Sequence, residues 1–420
     1  MNLEILEKDV DYIIVKIPTE SKNQKFIKTE EDIEKSVNEL GRILTKDAME
    51  KLDKEENVLE RNGEKITLKK KVNKEYKTPY GSTIVARNIY KSSSGKSYCP
   101  IEDEASIIYT ATPKLARSIS SKYIKMGAVD VVRDFQENHG LKLEESYIQN
   151  ISYCVGRLYN KMEDEIEYKL PQIDEEIVTV GIGLDGTCSY VGNEGWRETM
   201  VGTISLYDKD GNRLHTIYIS QAPEYGKGAF KEIFKKEIKD IIKSIPSSVK
   251  LIGIADGAKD NWSFLEEFVE IQIIDFYHVS EYLADASKVI NLRDKQKQQE
   301  WLDSACHRLK NDKNSALVLL DEMKELETKQ RVPKKTKENL QRAITYFTNH
   351  HHQMNYAEAI NNNIPIGSGV TESACKVLVK QRLCISGARW SHLGASCILK
   401  LRAVNLTDGR WKQFWEEEVA

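Results

Sequence analysis

Two stretches of this sequence share one grammar, and together they constrain the fold more than any other feature. Ile177-Val-Thr-Val-Gly-Ile-Gly-Leu-Asp185-Gly is an apolar run, rich in Val and Ile, that ends in one acid and a glycine; Val249-Lys-Leu-Ile-Gly-Ile-Ala-Asp256-Gly repeats it. Short apolar runs stopped by glycine read as buried strands. Each is expected to leave its Asp where the chain emerges from a sheet. One such Asp as readily caps a helix or turns the chain, whereas the repeated pattern points to a site. Ligands of α/β sheets bind outside the carboxyl ends of the strands, so adjacent strands would set Asp185 and Asp256 close together. Two close carboxylates repel unless a cation lies between them, which leads to a hard divalent ion held by oxygen ligands.

The neighbouring segments extend this sheet. Residues 199–207 and 214–219, separated by the turn Asp208-Lys-Asp-Gly211, read with the Asp185 run as three consecutive antiparallel strands. Residues 229–245 have the period of an amphipathic helix leading to the Asp256 strand; 262–268 read as a short helix and 271–278 as a fifth strand. The order βββαβαβ is that of a ribonuclease H core, an α/β fold. From 279 to 363 the pattern is helical (282–289, 298–309, 316–326, 336–350), which predicts an inserted all-helical domain. Three adjacent histidines, His350-His-His352, point in different directions on a helix and read as a solvated helix end.

Upstream, residues 1–78 are polar and lysine-rich, with one amphipathic helix expected over 30–52 and a basic run at Lys69-Lys-Lys71. They read as a helical appendage. A hairpin follows, with strands at 83–90 and 98–101 around the turn Ser92-Ser-Ser-Gly95. Thr112-Pro113 opens a helix by the favoured order of cap and first-position proline. Helices at 129–138 and 144–159, parted by Gly140, complete a helix-turn-helix pattern with Ser146, Gln149, Asn150 and Arg157 facing outward. The expected division is 1–78, a hairpin and DNA-binding region at 79–165, the core at 175–278, the insertion at 279–363, and closing helices at 364–420.

At 420 residues and 40% apolar content, the chain can build two or three domains. No apolar run reaches membrane-spanning length, and the acidic residues 1–7 lack the order of a signal peptide, so a cytoplasmic protein without a membrane partner is expected. Seven cysteines with no C-x-x-C pair argue against a zinc ribbon or a disulfide framework. The net charge of −3 gives no reason to propose nucleic acid. Its distribution does: residues 373–407 carry Lys376, Lys380, Arg382, Arg389, Lys400 and Arg402 and no acid, among leucines that mark a folded segment. A folded basic surface suits a phosphate backbone.

Just before this segment, Ile366-Gly-Ser-Gly-Val-Thr-Glu372 marks the start of a helix, with Ser368 or Thr371 as cap and Glu372 in the first turn. A first-turn Glu often serves only the helix dipole. Here it leads the row Glu372, Lys376, Lys380, so an acid sits beside a phosphate-binding ridge, as a metal ligand would.

Several motifs now converge: Leu-Asp185-Gly-Thr, Ala-Asp256-Gly-Ala-Lys-Asp-Asn-Trp262, Asp275-Phe-Tyr-His278, Gly367-Ser-Gly-Val-Thr-Glu372-Ser-Ala-Cys-Lys and Ser386-Gly-Ala-Arg-Trp390. They resemble the DDE transposases of bacterial insertion sequences, most closely the ISKra-type group, with relatives in the Mutator-like transposases. The resemblance covers most of the chain from about Tyr80 onward. It implies that Asp185, Asp256 and Glu372 hold two Mg²⁺ ions, replaceable by Mn²⁺, in a ribonuclease H-like fold whose helical insertion precedes the Glu. Asp275 and His278 match a D-x-x-H signature of the Mutator-like relatives and are site-associated. The implied partner is double-stranded DNA, both element ends and target, at the bacterial nucleoid, with a homodimer or larger assembly forming on it.

The chemistry implied is phosphoryl transfer with two cations roughly 3.5–4 Å apart. Water would be the nucleophile in nicking, and the freed 3′-hydroxyl in joining. Lys376, Lys380, Arg382 and Arg389 would grip phosphates; Trp390 and Trp301 are candidates to stack on a base, although an aromatic of this kind more often belongs to a core. Rival readings remain. An actin-like ATPase would use Gly181-Ile-Gly-Leu-Asp-Gly as a phosphate turn, but it needs a second glycine-rich turn late in the chain, where a Glu and a basic helix stand instead. A non-catalytic DNA-binding descendant and a nuclease that cleaves without joining are the others.

Overall fold

The computed structural model describes residues 3–18, 25–61, 63–224, 227–290, 292–328 and 332–419. The chain is α/β and divides into two compact units, Met1–Ile166 with Lys412–Ala420, and Glu167–Trp411.

In the first unit β1 (Glu4–Lys8) pairs antiparallel with β2 (Ile13–Lys16), and the long helix α1 (Phe26–Glu50) follows. A four-stranded antiparallel sheet comprises β3 (Val58–Arg61), β4 (Glu64–Thr78), β5 (Gly81–Ser92) and β6 (Ser97–Tyr98). The appendage expected to be helical through residue 78 therefore holds four strands beside its one long helix. β4 runs fifteen residues, and Ile66, Leu68, Val72 and Tyr76 recur along it at strand period, with a bulge between Leu68 and Lys70 that shifts its register against β5. Tyr76, Val85 and Ile101 are fully buried in the local core. Helices α2 (Pro100–Glu104), α3 (Pro113–Tyr123), α4 (Ala128–His139) and α5 (Glu145–Met162) complete the unit. α4 ends on Gly140 at φ +61, the left-handed cap that glycine adopts without strain. On α5, Ser146, Asn150 and Arg157 are exposed and Gln149 is half-buried.

The second unit is built on a five-stranded mixed sheet. Its strands are β7 (Thr179–Val191), β8 (Gly195–Tyr207), β9 (Arg213–Gln221), β10 (Lys250–Ala255) and β11 (Ile271–Ile274), ordered β11-β10-β7-β8-β9. β7, β8 and β9 are antiparallel neighbours, whereas β10 runs parallel to both β7 and β11. Helix α6 (Gly228–Ser244) links β9 to β10, and α7 (Lys259–Leu265) links β10 to β11. Phe230, Phe234 and Ile238 of α6 pack in one cluster with Ile182, Leu184, Ile204 and Ile252 of the sheet. Burial of such aliphatic and aromatic side chains, about 1.5–3 kcal/mol each, holds helix to sheet.

Helices α8 (Phe276–Ser287), α9 (Lys295–Asn311), α10 (Ser315–Glu327), α11 (Lys334–His350) and α12 (Tyr356–Asn361) follow, and Val279, Leu309, Leu319 and Phe347 extend the same apolar cluster. α13 (Gly369–Ala374) continues through a π-helical segment, Cys375–Lys380, into α14 (Gln381–Leu383); α15 (His392–Leu406) comes next and is buried along most of its length. Two strand expectations are corrected. β7 does not stop at Asp185 but runs on to Val191 in a long hairpin with β8. The strand expected over 271–278 ends at Ile274, because the Asp275 side chain accepts the His278 N–H and caps α8. Among the described residues no helix is long and apolar enough to cross a membrane.

Candidate active site

Asp185 stands opposite Val201 of β8, just beyond the point where the parallel partner β10 ends. The β7–β10 register pairs Gly183 with Ile254, and two residues further it brings Asp256 level with Asp185. Asp256 begins a tight turn. Its Oδ1 accepts from Ala258 N at 3.0 Å and Asn261 Nδ2 at 3.2 Å, and its carbonyl accepts from Trp262 Nε1 at 2.7 Å. A Cβ at Gly257 would lie 2.6 Å from the Tyr346 ring of α11, so glycine is needed for that approach.

Asp185 Oδ1 accepts from Gly186 N at 2.6 Å, and the Cys375 thiol lies 3.6 Å from Oδ2. Burial pushes the Asp185 carboxyl above its ordinary range; the charges of Asp256 and Glu372 push the same way, against the Gly186 and Cys375 hydrogen bonds. The three acids therefore share one electrostatic neighbourhood.

Glu372 reaches it because α13 is seated on the sheet. Thr371 Oγ1 lies 2.7 Å from Thr203 Oγ1 of β8, and a Cβ at Gly183 of β7 would come within 2.3 Å of it. On the other side of the helix start, Ser368 Oγ is 2.8 Å from Asp275 Oδ2 and 2.9 Å from Glu372 Oε1. His278 Nε2 lies 3.8 Å from the same Glu372 oxygen. The ligand atoms of Asp275, His278 and Glu372 all lie within 4.8 Å of one another, and no other group of three acidic, His or Cys side chains among the described residues is so close.

The basic residues divide. Lys376, Lys380 and Arg389 are exposed, and Lys380 Nζ donates to the Cys188 carbonyl at 2.9 Å. Arg382 and Trp390, expected to meet DNA, are only 3% and 4% exposed, with the guanidinium 4.6 Å over the indole ring. That expectation is corrected: both faces of this cation–π pair are turned inward. Lys400 and Arg402 are buried as well. Trp301 packs half-buried against the core, and His350 is held by Gln353, with Nδ1 and Oε1 2.9 Å apart.

Four further side chains touch or border the site. Asn261 is buried against Asp256, and its place in Asp256-Gly-Ala-Lys-Asp-Asn261 is the short loop that signals it. Cys375 sits one turn after Glu372, and Ser368, read as a cap from sequence, is committed to two carboxylates instead. No sequence signal marks Tyr346, whose hydroxyl is buried without a hydrogen-bond partner among the described residues. The carboxylates of Asp185, Asp256 and Glu372 are hard oxygen donors of the kind Mg²⁺ and Mn²⁺ prefer, and a cation would offset the burial that raises the Asp185 carboxyl and the smaller repulsion from Asp256 and Glu372. In chemistry the donor set thus fits a divalent ion, while the ligand atoms of Asp185, Asp256 and Glu372 do not all lie within 4.8 Å of one another. No protein-family model and no curated protein matches the chain.

Proposed function

We propose that the chain is a DDE-type DNA transposase with a ribonuclease H-like core, which binds the ends of its element and carries out metal-dependent strand cleavage and transfer. One observation carries this reading: Asp256 directly follows β10, the parallel neighbour of the strand that holds Asp185, and the helix bearing Glu372 is seated on the same sheet. The strand order β11-β10-β7-β8-β9, reached through βββαβαβ, supports it.

Asp185, Asp256 and Glu372 would hold the divalent ions, which when bound activate the attacking oxygen and stabilise the leaving one. Asn261 and the Ala258 N–H keep the Asp256 carboxylate aimed, and Cys375 borders Asp185. Lys376, Lys380 and Arg389 neutralise phosphates, and α3 to α5 read the element ends, with a second copy on the paired end.

The test is cleavage and joining of labelled DNA carrying the element's flanking ends, in Mg²⁺ or Mn²⁺, by the native chain and by Asp256→Ala. Expected are nicked and joined products for the native chain, with both lowered by roughly three orders of magnitude or more in the variant while DNA binding persists. Cleavage without joining makes the protein a nuclease. Binding without chemistry makes it a non-catalytic descendant, and ATP hydrolysis in place of either returns the actin-like alternative.

A further inference from the structure

The Asp275-Phe-Tyr-His278 segment has no task in the chemistry above, yet Asp275 is fully buried and heavily bonded. Its Oδ1 accepts from His278 N at 2.8 Å; its Oδ2 accepts from the backbone N–H of Ser368 and lies 2.8 Å from the Ser368 hydroxyl oxygen. Its own N–H donates to the carbonyl of Ala255, the residue before Asp256, at 2.9 Å, and Phe276 N donates to Ile366 O at 3.0 Å. One residue thereby ties together the end of β10, the start of α8 and the start of α13, the segments that deliver Asp256, His278 and Glu372. Gly367 leaves the room this needs, since a Cβ there would lie 3.3 Å from the Tyr277 ring and 3.6 Å from Asp275 Oδ2.

Closeness to Glu372 and His278 suggests a metal ligand, but the hydrogen bonds argue otherwise. The Ser368 N–H holds Asp275 Oδ2 and the His278 N–H holds Oδ1, so a cation on Asp275 would have to displace the backbone donors that fix the starts of α13 and α8. The Ser368 hydroxyl carries one proton and faces two carboxylate oxygens, at 2.8 and 2.9 Å. Because the Ser368 N–H already serves Asp275, the hydroxyl proton can turn to Glu372, whose side chain is 49% exposed and has only His278 Nε2, at 3.8 Å, as a further neighbour of Oε1 among the contacts described above.

We propose that Asp275 and Ser368 are positioning residues, a buried carboxylate clasp that fixes the start of α13 against β10 and, through the Ser368 hydroxyl, orients Glu372 towards the cation it shares with Asp185 and Asp256. This rests on the phosphoryl-transfer reading. The clasp acts on Glu372 and not on the reacting atoms, in the way that groups behind metal ligands tune affinity.

The experiment is Mn²⁺ titration by calorimetry on the full chain, with melting temperature measured in chelator, for the native protein, Glu372→Gln, Ser368→Ala, Ser368→Thr and Asp275→Asn. Ser368→Ala should weaken Mn²⁺ binding about 10- to 100-fold with the metal-free melting temperature unchanged, because the Ser368 N–H still reaches Asp275. Ser368→Thr should restore the affinity. Asp275→Asn sets an amide donor against either the Ser368 N–H or the His278 N–H, so it should lower both affinity and melting temperature. Native affinity in Ser368→Ala, an affinity loss matched by a fall in its metal-free melting temperature, or a threonine variant as weak as the alanine one would each overturn the clasp. If Glu372→Gln binds Mn²⁺ as the native chain does, the functional reading falls and takes the clasp with it. If Glu372→Gln is weakened and Ser368→Ala is not, only the clasp falls.

Discussion

His215 shows how far single residues of the second unit are tuned by what surrounds them. It is 7% exposed, with Nε2 2.9 Å from the Tyr168 hydroxyl, which lies 2.6 Å from the Asp408 carbonyl. Since the phenol proton goes to that carbonyl, the imidazole is the donor in the first contact. Burial depresses its pKa, and the charge of Asp408 only partly opposes this. The sign follows directly. Above about pH 6.5 the ring is neutral folded or unfolded, and stability is at its full value. As pH falls through that value the unfolded ring protonates first, so stability is lost until the folded ring titrates too. His215→Gln, neutral throughout and still a donor to Tyr168, should therefore flatten the pH dependence of urea unfolding between pH 7.5 and 5.5. The slope should fall by at most about 1.4 kcal/mol per pH unit. An unchanged slope would mean that the proton is taken up elsewhere.

At the scale of elements, the helix run carrying Glu372 depends on a buried cation. Arg402 of α15 sends Nε to the Leu378 carbonyl at 2.8 Å and a terminal nitrogen to the Val377 carbonyl, both in the π-helical segment. Burial and the neighbouring Arg382 push its pKa down to about 10, so it is still charged at neutral pH. Arg402→Met removes both donors and leaves the carbonyls buried, at a cost of roughly 2–4 kcal/mol, whereas exposed Lys376→Ala should change stability by no more than about 0.5 kcal/mol. Chemical denaturation of the two variants checks this, and equal stabilities would refute it. The sequence could not reveal this arrangement: a run of cations without acids reads as surface, and only packing shows that Arg382, Lys400 and Arg402 turn inward. The same limit hid β4, because Lys70 and Lys74 stand in the same alternate row as Ile66, Leu68, Val72 and Tyr76 and interrupt the apolar pattern. What was legible had strong local physics. The Asp185 and Asp256 strands announced themselves by apolar runs, and the first-turn Glu372 by its glycine-flanked helix start. Asp275 misled because the acid ending an apolar strand was itself the cap of the next helix.

For the whole molecule, a formal charge of −3 means that DNA would be held by local patches and not by net attraction. Two patches compete. In the second unit Lys376 and Lys380, on the helix run that follows Glu372, and Arg389 further along the chain are exposed; in the first unit Lys65, Lys69, Lys70 and Lys71 are exposed along β4. Each phosphate neutralised contributes about 0.9 to the slope of log affinity against log salt. If the site beside Glu372 grips the backbone, replacing Lys376, Lys380 and Arg389 together by alanine should flatten that slope by up to about 0.9 per residue, while the β4 lysines change it little. Arg382→Ala should move the melting temperature and leave the slope alone, since its charge lies inside the fold. Filter binding or fluorescence anisotropy between 50 and 200 mM salt, a range where such contacts dominate, separates the outcomes. A slope that survives the triple replacement and falls with the β4 lysines would assign the phosphate grip to the first unit. The Glu372 ridge would then be a surface that merely borders the carboxylates.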